Sequence, residues 1–352
     1  MEWRHGGDWA GYERKYNREI KPLDFSANVS PLGVPAGVQE ALREAACHAD
    51  CYPDPFCRAL RDAVAEWEGL LAGQIVCGNG AADLIYRIVW ARKPRRALVT
   101  APAFSEYEAA LQTVGCKVDR YPLKAENGFQ MGPDFLRAIE PGTDVVFLCE
   151  PNNPAGITTP YELLLEVIER CRTVGAQLIV DECFNGFLDH PEAHTLKPQL
   201  SGAPHVLLLK AFTKLYALAG VRLGYVLGTD SAFLETLYRA GPPWNVSTLA
   251  QAAGIAALEE TAYVEQLRQL IQAERLHLLE GLQGMGLRVI PSEANYLLFQ
   301  SKIPLLCPLR KRGILLRGCG DYAGLDETWY RTAVRTGTEN GKLLAAIKEV
   351  LR

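Results

Sequence analysis

Lys214 and Arg222 stand in the stretch Lys210-Ala211-Phe212-Thr213-Lys214-Leu215-Tyr216-Ala217-Leu218-Ala219-Gly220-Val221-Arg222-Leu223-Gly224-Tyr225. An apolar run, Val206 to Leu209, precedes it and reads as a buried strand. That puts the lysine at the rim of a sheet, where α/β folds hold ligands. Two cations near one rim in apolar surroundings call for an anion. A lysine that is desolvated and close to another cation loses part of its preference for the charged form. It can then act as an amine nucleophile toward an aldehyde. The same spacing also fits a surface lysine and an arginine that snorkels, so other residues must decide.

Several of them bear on the question. Gly78-Asn79-Gly80-Ala81-Ala82-Asp83 joins a short strand to a helix, and its small residues leave backbone N–H groups free at a helix N-terminus, a ready phosphate site. Asp83 stands where the third glycine of a dinucleotide motif would be, so the segment also fits a plain tight turn. Phe104 follows another strand and suits either a flat ligand or the core. Glu150-Pro151-Asn152-Asn153-Pro154 is a rigid turn that carries two amides. Asp181 closes the apolar strand Leu178-Ile179-Val180, and a carboxylate there needs a cation, from an arginine or from a protonated ring nitrogen. Arg331 and Arg335, four apart in Tyr330-Arg331-Thr332-Ala333-Val334-Arg335, share one face if the segment is a strand. Two such forks suit two anionic groups, for example a carboxylate and a phosphate, and Arg317 at the end of another strand can join them. Together these residues supply what pyridoxal 5′-phosphate requires: a phosphate cradle, an aromatic plate, an amide, a carboxylate for the ring nitrogen and an amine.

The elements that must position them alternate. Short apolar runs at 75–77, 97–100, 117–121, 145–148, 178–180, 206–209 and 224–227 are separated by helical patterns near 81–91, 104–114, 133–139, 160–174 and 231–239. This predicts an α/β fold with a mostly parallel sheet covered on both faces. Residues 1–35 read as an irregular, Gly- and Pro-containing N-terminal arm that must pack on something, often a partner subunit. Residues 36–240 form the large unit. Residues 241–352, after Pro242-Pro243-Trp244, form a smaller α+β unit with strands at 287–290, 296–299, 314–317 and 329–334 and a last helix at 338–351. The chain has 352 residues, 48% hydrophobic and 22% charged, the proportions of a soluble globular protein. A net charge of −4 argues against nucleic acid as a partner, and no apolar run is long enough for a membrane helix. The start of the chain lacks an apolar signal core, and the 10 cysteines form no C-x-x-C pair; both point to reduced thiols and a cytoplasmic protein. No metal is expected.

The order Gly78-Asn79-Gly80, Pro151-Asn152-Asn153-Pro154, Asp181-Glu182-x-Phe184, Thr213-Lys214, Arg222-x-Gly224-Tyr225 closely resembles the fold-type I aminotransferase family, class I/II. The resemblance implies that Lys214 binds the aldehyde of pyridoxal 5′-phosphate and Asp181 its ring nitrogen. Asn153 would meet the ring oxygen and Phe104 stack on the ring, with Gly80, Ala81 and Arg222 on the phosphate. Tyr52 would reach the phosphate of the other subunit, which makes the protein a homodimer. Two branches of the family fit. Histidinol-phosphate aminotransferases share the Tyr52-Pro53 turn and an arginine at 331. The branch that decarboxylates L-threonine O-3-phosphate in cobalamin biosynthesis is more similar at both chain ends. There the residues are His5-Gly6-Gly7, Leu23-Asp24-Phe25-Ser26-Ala27-Asn28, Ala294-Asn295-Tyr296, Leu316-Arg317-Gly318-Cys319 and Arg331-x-Ala333-Val334-Arg335. By that resemblance Arg331 anchors the substrate carboxylate. Asn28 and Asn153 also line the substrate site, and the substrate phosphate is assigned to Arg335, Arg317 and His5. L-serine O-phosphate, one methyl smaller, is the alternative substrate of such a decarboxylase. Three positions depart from the family: Ala211, Phe184 and Ala155 stand where hydroxyl-bearing residues are common. The missing hydroxyl at 211 weakens cofactor binding by roughly 1 kcal/mol, the scale of one hydrogen bond.

Overall fold

The computed structural model describes residues 5–16 and 21–352; the rest of the expected arm, residues 1–4 and 17–20, lies outside it. The arm contains α1 (Trp9–Tyr16) and β1 (Leu23–Asp24). The large unit carries α2 (Ala36–Ala46) and α3 (Arg58–Glu68), then β2 (Ile75–Gly78), α4 (Ala81–Arg92), β3 (Arg96–Ala101), α5 (Glu106–Gln112) and β4 (Lys117–Pro122). It continues through α6 (Phe135–Ala138), β5 (Val145–Cys149), α7 (Tyr161–Val174), β6 (Gln177–Asp181), β7 (Val206–Ala211), α8 (Phe212–Leu215), β8 (Gly224–Leu227) and α9 (Ser231–Arg239).

Its seven strands are ordered β2-β8-β7-β6-β5-β3-β4. Pairs among β4, β3, β5, β6 and β7 are parallel, whereas β8 is antiparallel to both neighbours. Strands buried on both faces read as unbroken apolar runs, and Leu178-Ile179-Val180 and Val206 to Leu209 are buried throughout. Helix α7 shows how the layers close. Leu163, Leu164, Val167, Ile168 and Cys171 fall on one face and enter the core beneath the sheet. Each fully buried aliphatic side chain of this kind contributes about 1.5–3 kcal/mol. The connection from β7 to β8 leaves and re-enters the sheet at one rim, so β8 runs backwards. That reversal brings Arg222, just before β8, to the same rim as Lys214, just after β7.

Helix α10 (Thr248–Glu259) lies against α2 and α3, and α11 (Thr261–Gln283) crosses to a second core. There β9 (Arg288–Ile290), β10 (Tyr296–Gln300), α12 (Leu306–Lys311), β11 (Ile314–Leu315), β12 (Arg317–Gly318), β13 (Trp329–Ala333) and α13 (Gly337–Leu351) follow. The second sheet is antiparallel, ordered β12-β13-β10-β9.

Three expectations need correction. The arm is not irregular throughout: Asp8 accepts the Gly11 N–H and begins α1, a short helix hidden by its glycine-rich surroundings. The strand expected over 314–317 is two. Ile314 and Leu315 run parallel to β1 while Arg317 pairs with Arg331, so the chain changes partner at Leu316. The strand expected to carry both Arg331 and Arg335 ends at Ala333, because Thr336 caps α13 and the Arg335 N–H turns to the Asn340 side chain.

Candidate active site

The carboxyl ends of β2, β3, β5, β6 and β7 share one rim, and each supplies a residue through a short loop. Gly80 caps α4 at φ +85°, a left-handed conformation that glycine adopts freely. A Cβ at Gly80 would stand 2.6 Å from Arg222 Nη2, so the arginine lies directly over this turn. Ala81 opens α4, and a Cβ on Gly224 would stand 3.0 Å from its backbone nitrogen, which explains the glycine in Arg222-x-Gly224. Arg222 itself holds φ +62°. A non-glycine residue in that region costs on the order of 1–3 kcal/mol and persists where its surroundings enforce it. A glycine turn, the N-terminus of a 12-residue helix and a guanidinium together make an anion cradle.

Asp181, at the end of β6, is buried. Its Oδ1 accepts the Cys183 N–H at 3.0 Å and its Oδ2 accepts the Tyr107 hydroxyl at 2.6 Å. Burial pushes its pKa up, against these two hydrogen bonds and the nearby Lys214 charge. Tyr107 is held by stacking on Phe147, with ring centres 5.0 Å apart. Phe104 is half-buried, edge-on to Tyr107, and precedes α5 rather than opening it. Lys214 is half-buried, and its Nζ makes no ion pair or hydrogen bond among the described residues. Its pKa is brought down to about 8, by burial first and then by the charge of Arg331. Near neutral pH an appreciable fraction is therefore the neutral amine.

Opposite the rim, Arg331 projects from β13 and is buried. Its Nη1 donates to Asn153 Oδ1 at 2.5 Å and to the Tyr322 hydroxyl at 3.4 Å, and its Nη2 donates to the Ser26 carbonyl at 3.0 Å. The guanidinium lies 5.5 Å from the Tyr296 ring centre. Its Nε has no partner among the described residues, and neither side-chain atom of Asn28, only 2% exposed, has one. Buried polar groups are almost always paired. The unpaired Arg331 Nε, and the unpaired amide of Asn28 two residues beyond the Ser26 carbonyl that Arg331 binds, are polar atoms left for a ligand.

The structure therefore brings together Lys214, Asp181, Asn153, Gly80, Ala81, Arg222 and Phe104 on the rim, with Arg331 and Asn28 facing them. His5 joins from the arm, with its ring 6.0 Å from that of Phe104. Arg317 stands beside this group, over the Tyr322 ring and paired with Asp321 at 2.8 Å. Arg335 is engaged elsewhere: its guanidinium pairs with Glu339 at 2.9 Å and donates to the Asp24 carbonyl. Tyr52 is 81% exposed, and its ring meets Trp244 at 4.7 Å. Sequence reasoning missed Tyr107, Tyr322 and Ser26 as members of the site. Tyr107 reads as a core aromatic, and the contribution of Ser26 is a backbone carbonyl, which no side-chain pattern reveals.

These residues fit pyridoxal 5′-phosphate. The cradle suits a phosphate, the buried Asp181 suits a protonated ring nitrogen, and Lys214 has the lowered pKa of an amine nucleophile. Fold and site define a pyridoxal-phosphate-dependent enzyme of fold type I. Comparison with known proteins agrees. The profile of the family "Aminotransferase class I and II" matches residues 20–348, and the chain belongs to that family. It is 37% identical to the threonine-phosphate decarboxylase of Salmonella typhimurium, over 94% of this chain and 91% of that one. It is 32% identical to the histidinol-phosphate aminotransferase of Symbiobacterium thermophilum, over 94% of this chain and 90% of the other. The crystal structure of the histidinol-phosphate aminotransferase of Sinorhizobium meliloti in complex with pyridoxal-5′-phosphate superposes with a TM-score of 0.88. It covers 100% of this chain and 95% of that one at 23% identity, which shows a common fold.

Proposed function

We propose that this protein decarboxylates L-threonine O-3-phosphate to (R)-1-amino-2-propanol O-2-phosphate in cobalamin biosynthesis. The observation that carries the reading is that two anion-binding places adjoin on the substrate side of the cleft. One is Arg331 with the unpaired Asn28. The other is a cavity of about 640 Å³ whose wall carries His5, Lys15, Arg310 and Arg317, with Asp8, Asp321 and Glu327 also on it, along with Ser26, whose carbonyl holds Arg331. A substrate that carries both a carboxylate and a phosphate uses both at once; histidinol phosphate has no carboxylate, and 2-oxoglutarate has no phosphate. The 37% identity to a threonine-phosphate decarboxylase supports the same choice. In place of Arg335, which is tied to Glu339, Arg317 and His5 are the phosphate-binding residues of this reading. Tyr52, exposed on the surface, is assigned to the cofactor phosphate of a second copy of the chain.

Held by Lys214, Asp181, Arg222 and the Gly80–Ala81 turn, pyridoxal 5′-phosphate would supply an electron sink for the pair left on Cα when CO₂ departs. Asp181, with Tyr107 and the Cys183 N–H holding its two oxygens, would pair with the protonated ring nitrogen. Arg331 grips the carboxylate, and Arg317 and His5 grip the phosphate. Fixing both ends sets the rotation about Cα and so selects the carboxylate bond for cleavage. Lys214 then delivers a proton to Cα in place of the lost CO₂.

The test is to supply the cofactor-loaded protein with L-threonine O-3-phosphate and measure CO₂, and separately with histidinol phosphate and 2-oxoglutarate and measure glutamate. CO₂ release supports the reading. Glutamate without CO₂ moves the protein to the aminotransferase branch, which the 32% identity to such an enzyme keeps as the second reading. Rates on L-serine O-phosphate complete the comparison; one methyl group is worth only about 1–3 kcal/mol of discrimination.

A further inference from the structure

The arm meets the cleft at both of its sides. On the large unit, His5 Nε2 lies 2.9 Å from Glu106 Oε1, and Glu106 Oε2 accepts the Tyr86 hydroxyl at 3.2 Å. Glu106 is the first residue of α5, next to Tyr107, which binds Asp181. Its carboxyl is held below the usual range, first by the hydrogen bond to His5. On the other side, the Gly7 N–H donates to Ser26 Oγ at 2.9 Å and Trp9 Nε1 donates to Asp24 Oδ2 at 2.7 Å. Gly6 lies so close that a Cβ there would stand 2.1 Å from the Ser26 carbonyl oxygen, the same oxygen that receives Arg331 Nη2. His5-Gly6-Gly7 thus spans the gap between the cofactor rim and the Arg331 side, and each residue type has a geometric reason.

We propose that Glu106 is a positioning residue for substrate binding. It grips His5 and thereby fastens the N-terminal segment as a strap across the cleft, whose other end is tied down at Ser26 and Asp24. The proposal rests on reading the cleft as the site of a phosphorylated amino acid. Glu106 does not reach the reacting atoms; it acts through His5. An acid in the first turn of a helix also favours the helix dipole, and that role alone would involve no partner in the arm. The two roles therefore separate on the behaviour of His5.

The experiment compares the full-length, cofactor-loaded wild type with Glu106→Gln, His5→Gln and the double variant. Two quantities are read: kcat and KM for L-threonine O-3-phosphate, and the rate of trypsin cleavage after Arg14 and Lys15 in α1. With the strap, each single variant raises KM by about five- to tenfold, the scale of one charge-assisted hydrogen bond, while kcat falls less. Cleavage accelerates in both, the visible absorbance of the bound cofactor is unchanged, and the double variant is no worse than His5→Gln alone. Wild-type KM and wild-type cleavage in Glu106→Gln overturn the proposal. So does a double variant whose KM increase is the product of the two single increases. Cleavage needs no turnover, so it decides the strap even where the assignment of the reaction fails.

Discussion

Two lysines flank the end of β7, and the protein treats them in opposite ways. Lys210 points into a cluster of buried carboxylates, 3.2 Å from Glu68 and 3.6 Å from Glu182, and these charges raise its pKa against the cost of burial. Glu68 also accepts from Tyr225 and Lys197, and Glu182 from Thr195 and the Leu196 N–H. Lys214 has no such partner among the described residues. Its charged neighbours include Arg331 and Arg222, and its pKa falls to about 8. Four residues apart on one rim, one amine is locked as an ammonium and the other is made available as a nucleophile. Burial pushes both amines toward the neutral form; what separates them is that Lys210 has buried countercharges and Lys214 has cationic neighbours instead.

That contrast can be broken at several points. Lys214→Ala removes the nucleophile and leaves Lys210 in place. Borohydride then fixes no cofactor onto the protein, and mass spectrometry of the digest finds none on Lys210. The next largest effect is on stability: Glu68→Gln leaves Lys210 and Lys197 short of one buried countercharge. Breaking a buried pair of this kind costs about 3 kcal/mol or more, read as a lower midpoint in chemical denaturation. Tyr107→Phe removes a hydrogen bond to Asp181, raises that carboxyl's pKa further and lowers kcat by about tenfold, the scale of a hydrogen bond to a charged group. Arg331→Gln removes a cation that depresses Lys214, so the pH midpoint for attaching cofactor to the apo-protein moves upward. The same variant also raises KM for the substrate carboxylate.

The two sides of the cleft were not equally legible in the sequence. Lys214, Asp181, Asn153 and Gly80 each follow a short apolar strand of a parallel sheet. Asn153, Asp181 and Lys214 follow the adjacent strands β5, β6 and β7, Gly80 follows β2 beyond β8 on the same rim, and the resemblance to class I/II aminotransferases names their roles. The substrate side is assembled from distant segments. Arg331 meets Asn153 from 178 residues away and the Ser26 carbonyl from 305 residues away. Spacing cannot report such meetings, which is why Arg335 looked equivalent to Arg331 although its guanidinium is paired with Glu339. Tyr107 illustrates the same limit on the cofactor side: its bond to Asp181 joins residues 74 apart, and an aromatic in a helix next to a sheet looks like core. Helix α1 escaped because eight residues with a central glycine carry little periodic signal.

The claim that Lys214 is prepared as a nucleophile by its surroundings has one direct test. Apo-protein is mixed with pyridoxal 5′-phosphate across a range of pH, and the rate at which visible absorbance appears is recorded. The neutral amine is the reacting form, so the rate rises with pH as the ammonium loses its proton. A midpoint near the value of about 8 is the predicted result. A midpoint at the ordinary lysine value of about 10.4 contradicts the account.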